Sequence, residues 1–577
     1  MPNDNESKLI EDVLTGIRDW ENDMSTHFGM MNEWAMSYRM KNGLKEKRPD
    51  GVSRNMTAET PRAVNALATS ITAMQMASDP CFELRSDEAT EDELYPLEKR
   101  YSKELTNLEF ERKLLKGNRG MCLFGTQVWE EPLMSFPANM SNPWYQGTDF
   151  IPLSLLQVPF RSGVYDINYS DFLGGIHEFT SNYLRFVTSG SIWDHAKIEE
   201  GIKEKEGFGQ EGYAKSAINT RRAQALYTEI KDGKQELILY HGRLSDYENP
   251  LIAEMWEKYG RTDDVKGSDL TIGILNRKRL VRFHPTPYGT WHHMNKIGHY
   301  IEFELEPYGY GVGALGHELQ KDMNRIQRRI NDAQLFDIYS MKFVGNGAGL
   351  KTNNLNIFPY ALIPIPGDVN QIKDIRPNVE GIGHGIKLNE WTREDFRGVT
   401  HATNTLQATA QNGATATEAS LLSSEALRAV SMTARANAPV IRGHLETMHK
   451  NYIDQNPYDS NYVRNVEFIP KLATDRDYKP EHSKKLLEFL SLATSIRQTM
   501  PLEFNPMPIL KYLARSVGIN PRELNEPRPQ VDKILDAMKR INGDSALKNE
   551  VGGEVAGGGM GISQPNGPVP TSPLGPM

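Results

Sequence analysis

Cysteine, long apolar runs and signal-like segments are scarce in this 577-residue chain. Only Cys81 and Cys122 occur, in separate apolar segments, and we interpret both as packing residues that a reducing compartment keeps as thiols. No apolar run approaches the roughly 18 residues that a membrane helix needs. The start is acidic and amphipathic, unlike a signal peptide. The sequence therefore predicts a protein made and kept in a cytosol-like compartment, with no membrane partner.

Recognisable catalytic and metal-binding patterns are also missing. The 14 histidines are scattered, and the adjacent pair His292 and His293 lacks the companion Cys or HExxH-type spacing of a zinc site. No GxSxG nucleophile elbow occurs. The acidic clusters at 87–93 and 199–206 are more typical of solvated faces than of paired catalytic carboxylates. We predict that the protein is not an enzyme and holds neither a cofactor nor a metal.

Positive charge is not in excess either. The formal net charge is -9 at pH 7, whereas tight binding of nucleic acid depends on neutralising phosphates with Lys and Arg. The composition therefore excludes a protein that clamps nucleic acid over its whole surface. It leaves open a loose and transient contact with DNA.

The first 313 residues alternate helical and strand patterns. Helices are predicted at about 7–38, 60–78 and 91–116, the second opened by Thr60 and Pro61. Strands are predicted at CFELRS, at MCLFGTQVW, in a meander over about 148–190, and at ELILYHGRL and LTIGILNRKRLVRFHP. Residues 192–220 are polar and read as a solvated helix or an insertion. The fold class predicted for this part, and for the chain, is α+β.

The helix that follows Gly316 is long and amphipathic. Its apolar positions recur at spacings of four and three residues, which places on one stripe Leu319, Met323, Ile326 and Ile330. The rest of its surface is charged and includes the basic residues Lys321, Arg325, Arg328 and Arg329. Two interpretations stay open: a solvated helix lying on its own domain, or one helix of a helical wall packed against neighbours.

The segment after this helix contains no nucleotide site. VGNGAGLKTNNL superficially resembles a phosphate loop, but Leu350 stands where that motif requires Gly, and the flanking elements occur in the wrong order. We predict instead an extended excursion to about Pro377 and then a short helix at 388–399. A polar loop, THATNTLQATAQNGATATE, follows. Its last residues, Thr415 to Glu418, form a capping box for a long helix that Pro439 should bend.

These elements resemble, in order and spacing, the portal or head-to-tail connector proteins of bacteriophages, particularly of short-tailed phages. The resemblance covers about Thr57 to Arg540. Its carriers are TPRAVNALATSITAMQMASDP with CFELRS, LLKGNRGMCLFGTQVW, EPYGYGVGALGHELQKDMNRIQRRINDAQ and NGATATEASLLSSEALRAV. The sequence departs from the family at Tyr310 and Val312, and at the insertion near 192–220.

The resemblance implies a domain organisation. It comprises an α/β wing at 1–313, a first stem helix at 314–342, a clip at 343–377 and a second stem helix at 378–399. A tunnel loop at 400–414, a wing helix and return strand at 415–473, a helical crown at 474–542 and a Gly/Pro-rich tail at 543–577 would follow.

The resemblance also implies a function. Portal subunits form a ring, usually a dodecamer, at one capsid vertex of the virion, after assembly in the host cytoplasm. The ring conducts double-stranded DNA in packaging and ejection. Its expected partners are the terminase large subunit, tail adaptor proteins, and the major capsid and scaffolding proteins.

The implied site residues fall into three groups. The DNA channel or tunnel loop would use His401, Asn404, Gln407, Gln411 and Asn412. The stem lumen would use Lys321, Arg325, Arg328 and Arg329. Contacts between stem subunits would use Leu319, Met323, Ile326 and Ile330.

Two alternative functions stay open. One is another head-tail adaptor or tail ring protein, which the predicted order of stem, clip and stem disfavours. The other is a nucleic-acid packaging enzyme, which is disfavoured because VGNGAGLKTNNL does not match the phosphate-loop motif.

Overall fold

The computed structural model of this chain describes a set of segments that all lie within the unit Met1–Lys479. They are residues 4–40, 53, 55–89, 91–136, 145–189, 192–207, 234–244, 250–258, 269–286, 290–304, 306–338, 341–345, 362–365, 373–375, 379–402, 428–455 and 465–472. The predicted crown and tail lie outside the described residues, as does most of the predicted tunnel loop.

The described helices are numbered here in chain order. They are α1 (Asp4–Asp23), α2 (Ser25–Tyr38), α3 (Glu59–Gln75), α4 (Glu91–Asn107), α5 (Phe110–Phe124), α6 (Ser181–Val187), α7 (His195–Gly207), α8 (Pro250–Lys258), α9 (Val312–Ile338), α10 (Val379–Val399) and α11 (Ala438–Gln455). A further helical stretch at 428–436 precedes α11. Of these helices, none combines the length and the apolar composition that a membrane crossing demands.

The described strands are numbered in the same way. They are β1 (Phe82–Arg85), β2 (Thr126–Glu130), β3 (Leu133–Phe136), β4 (Tyr145–Thr148), β5 (Ile151–Leu153), β6 (Phe172–Thr180), β7 (Lys234–Gly242), β8 (Leu270–Leu275), β9 (Arg279–Pro285), β10 (Asn295–His299), β11 (Met341–Gly345), β12 (Leu362–Ile365), β13 (Lys373–Ile375) and β14 (Glu467–Pro470).

The strands form small sheets, most of them antiparallel. Strands β6 to β9 make a four-stranded meander, β2 lies between β10 and β5, β3 pairs with β4, and β1 pairs with the distant β14. In the β12-β11-β13 sheet, β11 pairs in parallel with β12 and antiparallel with β13. Helices and strands are interspersed, so the predicted α+β class is confirmed.

The core brings the N-terminal helices and the central strands together. Helix α1 buries one face that includes Val13, Ile17 and Trp20, and α3 buries Val64 and Leu67 in the same apolar cluster. Both native cysteines are free and buried. Burial raises the pKa of Cys81 to about 12. These thiols therefore act as packing side chains, as the sequence predicted.

Some predicted boundaries in the body are wrong. The helix predicted at 91–116 is two helices, because Glu109 adopts a left-handed φ of 52° between α4 and α5. The apolar residues MCLF complete α5 instead of starting a strand, and strand β2 begins at Thr126 after Gly125. In the predicted meander, Ser181–Val187 is helical because Thr180 caps it, accepting a hydrogen bond from the backbone N–H of Tyr183.

Candidate functional site

Helices α9 and α10 form an antiparallel pair with close approaches along its length. At one end Phe396 lies against Gly316, where an added Cβ atom would come within 2.3 Å of the ring. In the middle Asn389 Nδ2 donates to Gln327 Oε1 at 2.8 Å. At the other end Gly385 lies against Ile330. Because glycine has no side chain, Gly316 and Gly385 allow the two helix backbones to approach closely.

The bounds of the paired helices agree only in part with the predictions. The first helix ends at Ile338 and not at 342, because Met341–Gly345 forms the central strand of the β12-β11-β13 sheet. The second helix spans Val379–Val399, close to the 378–399 that the resemblance implies, whereas the sequence pattern predicted only 388–399. Its first half contains Gly381, Gly383 and Gly385, which argue against a helix by propensity alone. Packing of Gly385 on Ile330 shows that tertiary contact prevails there.

A second face of α9 is held by the chain that leads into α3. The side chain of Gln320, 1% exposed, accepts from the N–H and hydroxyl of Thr60, both at 2.9 Å. One turn on, Asn324 Oδ1 accepts from the N–H and hydroxyl of Thr57, also at 2.9 Å. Arg328 Nε donates to the carbonyl of Asn55 at 3.2 Å. These buried bonds fix α9 to the body, since breaking any of them would leave a buried polar group unsatisfied.

Two of the four predicted subunit-contact residues, Met323 and Ile330, are buried in their own chain. Met323 is fully buried and Ile330 is 6% exposed, while Leu319 and Ile326 are half-buried. Burial in their own subunit leaves no surface of Met323 or Ile330 for a neighbouring subunit, so that part of the prediction is wrong. The apolar stripe was identified correctly, but its neighbours include α10 and the core of the same chain.

The four predicted lumen residues differ in their surroundings. Arg328 is only 4% exposed and its guanidinium donates a hydrogen bond to the carbonyl of Asn55, so it cannot line a lumen. Lys321 pairs with Glu33 and with Glu318, each at 3.1 Å. Arg325 is exposed and pairs with Asp322 at 3.1 Å. Arg329 is also exposed. The accessible surface of α9 thus carries charges of both signs.

Helix α10 exposes a stripe with three large apolar side chains. Leu388, Trp391 and Val399 are 50%, 64% and 44% exposed. At about 100° per residue they lie within about 80° of one another, and Phe396, which packs on α9, is about 60° beyond Val399. Exposed Asp395 lies inside this stripe, and exposed Glu390 and Glu394 lie beyond Trp391. Large apolar side chains exposed together can mark a surface that a partner covers.

A buried carboxylate fastens the C-terminal half of α10 to α3. Glu59, 1% exposed, receives Arg393 Nε at 3.1 Å and Arg397 Nη2 at 3.3 Å. Arg62 approaches the same carboxylate at 3.4 Å. Because Arg393 and Arg397 lie on successive turns of α10 and contact the same carboxylate, they fix the rotation of α10 about its axis and its position along that axis.

Two neighbouring residues, Tyr300 and His299, bond the chain before and after residues 403–427. Tyr300 OH donates to the carbonyl of Thr400, the residue after α10, at 3.0 Å. On the returning chain, Asn437 Oδ1 accepts from the N–H of His299 at 3.0 Å, and its Nδ2 donates to the carbonyl of the same residue at 2.8 Å. Ala402 is fully buried in the core cluster that also contains Val430. The chain is therefore bonded to the body at Thr400 and again at Asn437.

Of the five predicted channel residues, the structure describes one. His401 is exposed and takes a left-handed φ of 55°, which ends α10. Asn404, Gln407, Gln411 and Asn412 lie outside the described residues. Near Pro439, where a bend was predicted, a turn at Asn437 separates the helical stretch 428–436 from α11.

The buried titratable groups of the body act as structural supports. The carboxylate of Glu130 lies 2.9 Å from His177 Nε2. Burial alone would raise the pKa of Glu130. Charge attraction and hydrogen bonds from His177 and His241 outweigh burial and lower that pKa. Burial and the charge of Arg282 lower the pKa of His284 to about 3. Its ring nitrogens are occupied, because Nδ1 bonds the Pro285 carbonyl at 2.6 Å and Nε2 accepts from Arg282 Nε at 2.6 Å.

Within the described residues, no group of three or more His, Cys, Asp or Glu side chains is arranged to hold a metal ion. The pair His292 and His293 lies in a short 3-10 turn.

No protein-family model and no curated protein matches this sequence.

Sequence reasoning missed the polar residues that fix the helix pair and the chain on either side of residues 403–427. Glu59, Tyr300 and Asn437 are single polar residues in otherwise apolar or helical stretches, and each acts on a residue more than 90 positions away in the chain. The only local signal is at Asn437, two residues before Pro439, where a helix is expected to break. No spacing rule connects the others to their partners.

Proposed function

We propose that this chain is the subunit of a bacteriophage portal, a ring at one capsid vertex that conducts double-stranded DNA during packaging and ejection. One observation carries the proposal. The antiparallel pair α9 and α10 is fixed to the body on one side and leaves the apolar stripe Leu388, Trp391 and Val399 uncovered on another. A second copy of the helix pair would cover such a stripe, and repetition of the contact closes a ring.

The order of elements supports the same assignment. A mixed body leads into α9, a small three-stranded sheet joins α9 to α10, and the loop segment begins at the body end of α10. This succession corresponds to the wing, stem, clip, stem and tunnel loop that the sequence resemblance implies. In this assignment the clip receives the terminase and later the tail adaptors.

Charge supports a passage for DNA and disfavours tight binding. A net charge of -9 per subunit, repeated around a ring, repels phosphate and keeps DNA mobile. The exposed bases Arg325 and Arg329 alternate on α9 with the acid Asp322. Contacts from such a surface would be weak and sensitive to salt.

The decisive test is microscopy of the purified full-length chain. Rings with a central hole support the proposal, whereas compact monomers that hydrolyse ATP would favour the packaging enzyme. A ring that stacks into tubes would favour the alternative, a tail or adaptor ring protein.

A loop deletion then separates conduction from assembly. Deleting 403–412 should leave rings intact and impair DNA packaging or retention, because the bonds from Tyr300 to Thr400 and from His299 to Asn437 lie outside the deletion. The deletion must spare Ala402, which is fully buried. Loss of rings in this variant would assign the loop to a subunit contact.

A further inference from the structure

We propose that the exposed face of helix α5 is a contact for the phosphate backbone of a nucleic-acid duplex. The face consists of Arg112, Lys116 and Arg119, all of them exposed. Helix α5 belongs to the body and not to the pair α9 and α10, so this contact is separate from the predicted lumen residues. That the duplex is DNA rests on the proposed function.

The segment that contains this face is basic although the chain is acidic. Residues 99–119 include seven lysines or arginines and three glutamates, whereas the whole chain has a net charge of -9. At about 100° per residue, Arg112, Lys116 and Arg119 lie within about 60° of one another around the helix. Their exposed side chains therefore form one basic stripe along α5.

Two acids lie near the stripe, one at its side and one at its end. Glu111 is exposed but lies at least about 80° around the helix from each of the three bases. Glu109 precedes the helix and pairs with Arg112, and their side chains are 58% and 75% exposed. An exposed pair contributes little, so a phosphate can replace it. Among the described residues, no ion pair involves Lys116 or Arg119.

The buried side of α5 holds the stripe in place. Gly117 lies against Trp129, where an added Cβ atom would come within 2.2 Å of the indole Nε1. Asn118 Nδ2 donates to Thr72 Oγ1 at 2.8 Å and to Gln75 Oε1 at 2.9 Å, both on α3. Because these buried contacts fix the rotation of α5, the stripe stays directed toward solvent.

Helix α3, which these bonds join to α5, exposes no acid. Its one acidic residue, Glu59, is 1% exposed. The exposed residues of α3 are Arg62, Thr69 and Ala73. The exposed surface of α3 therefore does not repel a phosphate backbone bound at the stripe.

The composition of the stripe favours a duplex over a protein or a single strand. Protein contacts usually centre on a buried aromatic or similar anchor, and single strands bind through aromatic rings on which bases stack. The stripe offers no aromatic side chain, whereas a duplex backbone needs only basic side chains. Over seven residues the stripe is about 10.5 Å long, which corresponds to about three phosphate steps of 3.4 Å along one strand.

Salt-dependent binding of a labelled DNA duplex to the purified full-length chain tests this contact. Each phosphate that a basic side chain neutralises contributes about 0.9 to the slope of log affinity against log salt concentration. The double variant Lys116→Ala with Arg119→Ala should therefore bind more weakly at low salt and reduce that slope by at least about 1.8. Fluorescence anisotropy over a series of salt concentrations measures both quantities.

A control variant separates a local contact from a change in net charge. Lys8→Ala with Arg18→Ala removes the same two charges from exposed positions of α1, on a face that also carries the exposed acids Asp4, Glu11 and Asp19. This control should leave the slope unchanged. All four replaced side chains are exposed, so neither variant should shift the urea midpoint of unfolding. Equal loss of slope in both variants would overturn the assignment to α5.

The remaining outcomes distinguish this contact from the proposed ring. A wild-type chain without affinity for the duplex at low salt overturns the contact. A polyglutamate peptide that binds more tightly than the duplex, and fails to bind the double variant, would assign the stripe to an acidic protein instead. Rings whose salt slope is the same in the double variant overturn the contact and leave the portal proposal standing. Monomers that show the expected loss of slope overturn the ring and keep the contact.

Discussion

Replacing Gly316 with alanine would test how closely α9 and α10 approach. The new Cβ atom would lie 2.3 Å, 2.8 Å and 3.1 Å from three carbons of the Phe396 ring. Phe396 is fully buried, so the ring has no free space into which it could move. The substitution therefore forces the two helices apart or the ring out of its rotamer.

The magnitude follows from two opposing effects. Alanine gains about 0.8–1 kcal/mol over glycine in a helix interior. An extra methyl group in a closely packed site costs about 1–3 kcal/mol, and the contact at Gly316 is at the severe end of that range. We expect a net loss of about 1–2 kcal/mol in the free energy of unfolding.

Urea denaturation followed by circular dichroism measures this loss, and Gly383→Ala is the matched control. Gly383 lies in α10, and a Cβ atom added there would meet no neighbouring atom within 4 Å, so alanine should stabilise by about 0.5–1 kcal/mol. Opposite signs at the two glycines are the expected result. If Gly316→Ala were as stable as Gly383→Ala, the close packing of α9 on α10 would be refuted.

Three further predictions concern single side chains. Tyr300→Phe removes the donor to Thr400 and should speed amide hydrogen exchange at the end of α10, whereas Tyr169→Phe, at a site 75% exposed, should not. Glu59→Gln should lower the free energy of unfolding by about 2–3 kcal/mol, since two guanidinium groups lose their carboxylate; an unchanged urea midpoint would contradict this. The pKa of His284 is about 6.5 in the unfolded chain and about 3 in the folded chain. The free energy of unfolding should therefore fall as the pH drops between these values, by about 1.4 kcal/mol per pH unit. His284→Gln should flatten that fall in urea titrations, and an unaltered slope would show that His284 is not its source.

Periodicity predicted elements whose burial pattern is regular. The start of α9 and its apolar stripe follow from the spacing of Leu319, Met323 and Ile330, which tertiary contacts reinforce. The sequence pattern alone did not predict the first half of α10, because its glycines have low helix propensity and Gly385 packs against Ile330 of α9. Local propensity cannot register a contact between residues more than 50 positions apart.

Periodicity also cannot distinguish a partner in the same chain from one in another chain. Met323 and Ile330 form the stripe expected for a subunit contact, yet both are buried within their own subunit. Other apolar side chains, Leu388 and Trp391, stay exposed on α10, although they look irregular in the sequence among acids and glycines. Which of two apolar faces is free depends on what the rest of the fold covers, and that becomes visible only in three dimensions.

Two neighbouring residues of the body, Tyr300 and His299, bond the chain before and after residues 403–427, and this bears on the proposed conduit. Tyr300 bonds Thr400, just after α10, and His299 bonds Asn437, just after the helical stretch 428–436. His299 ends strand β10, which is paired along its length with the buried strand β2. These bonds fix the positions of Thr400 and Asn437 relative to β10. The entropic cost of lengthening a connection between two fixed points grows only with the logarithm of its length. Changes in the chain between Thr400 and Asn437 would therefore leave both points in place, as the proposed portal requires if DNA is to move while the ring contacts stay fixed.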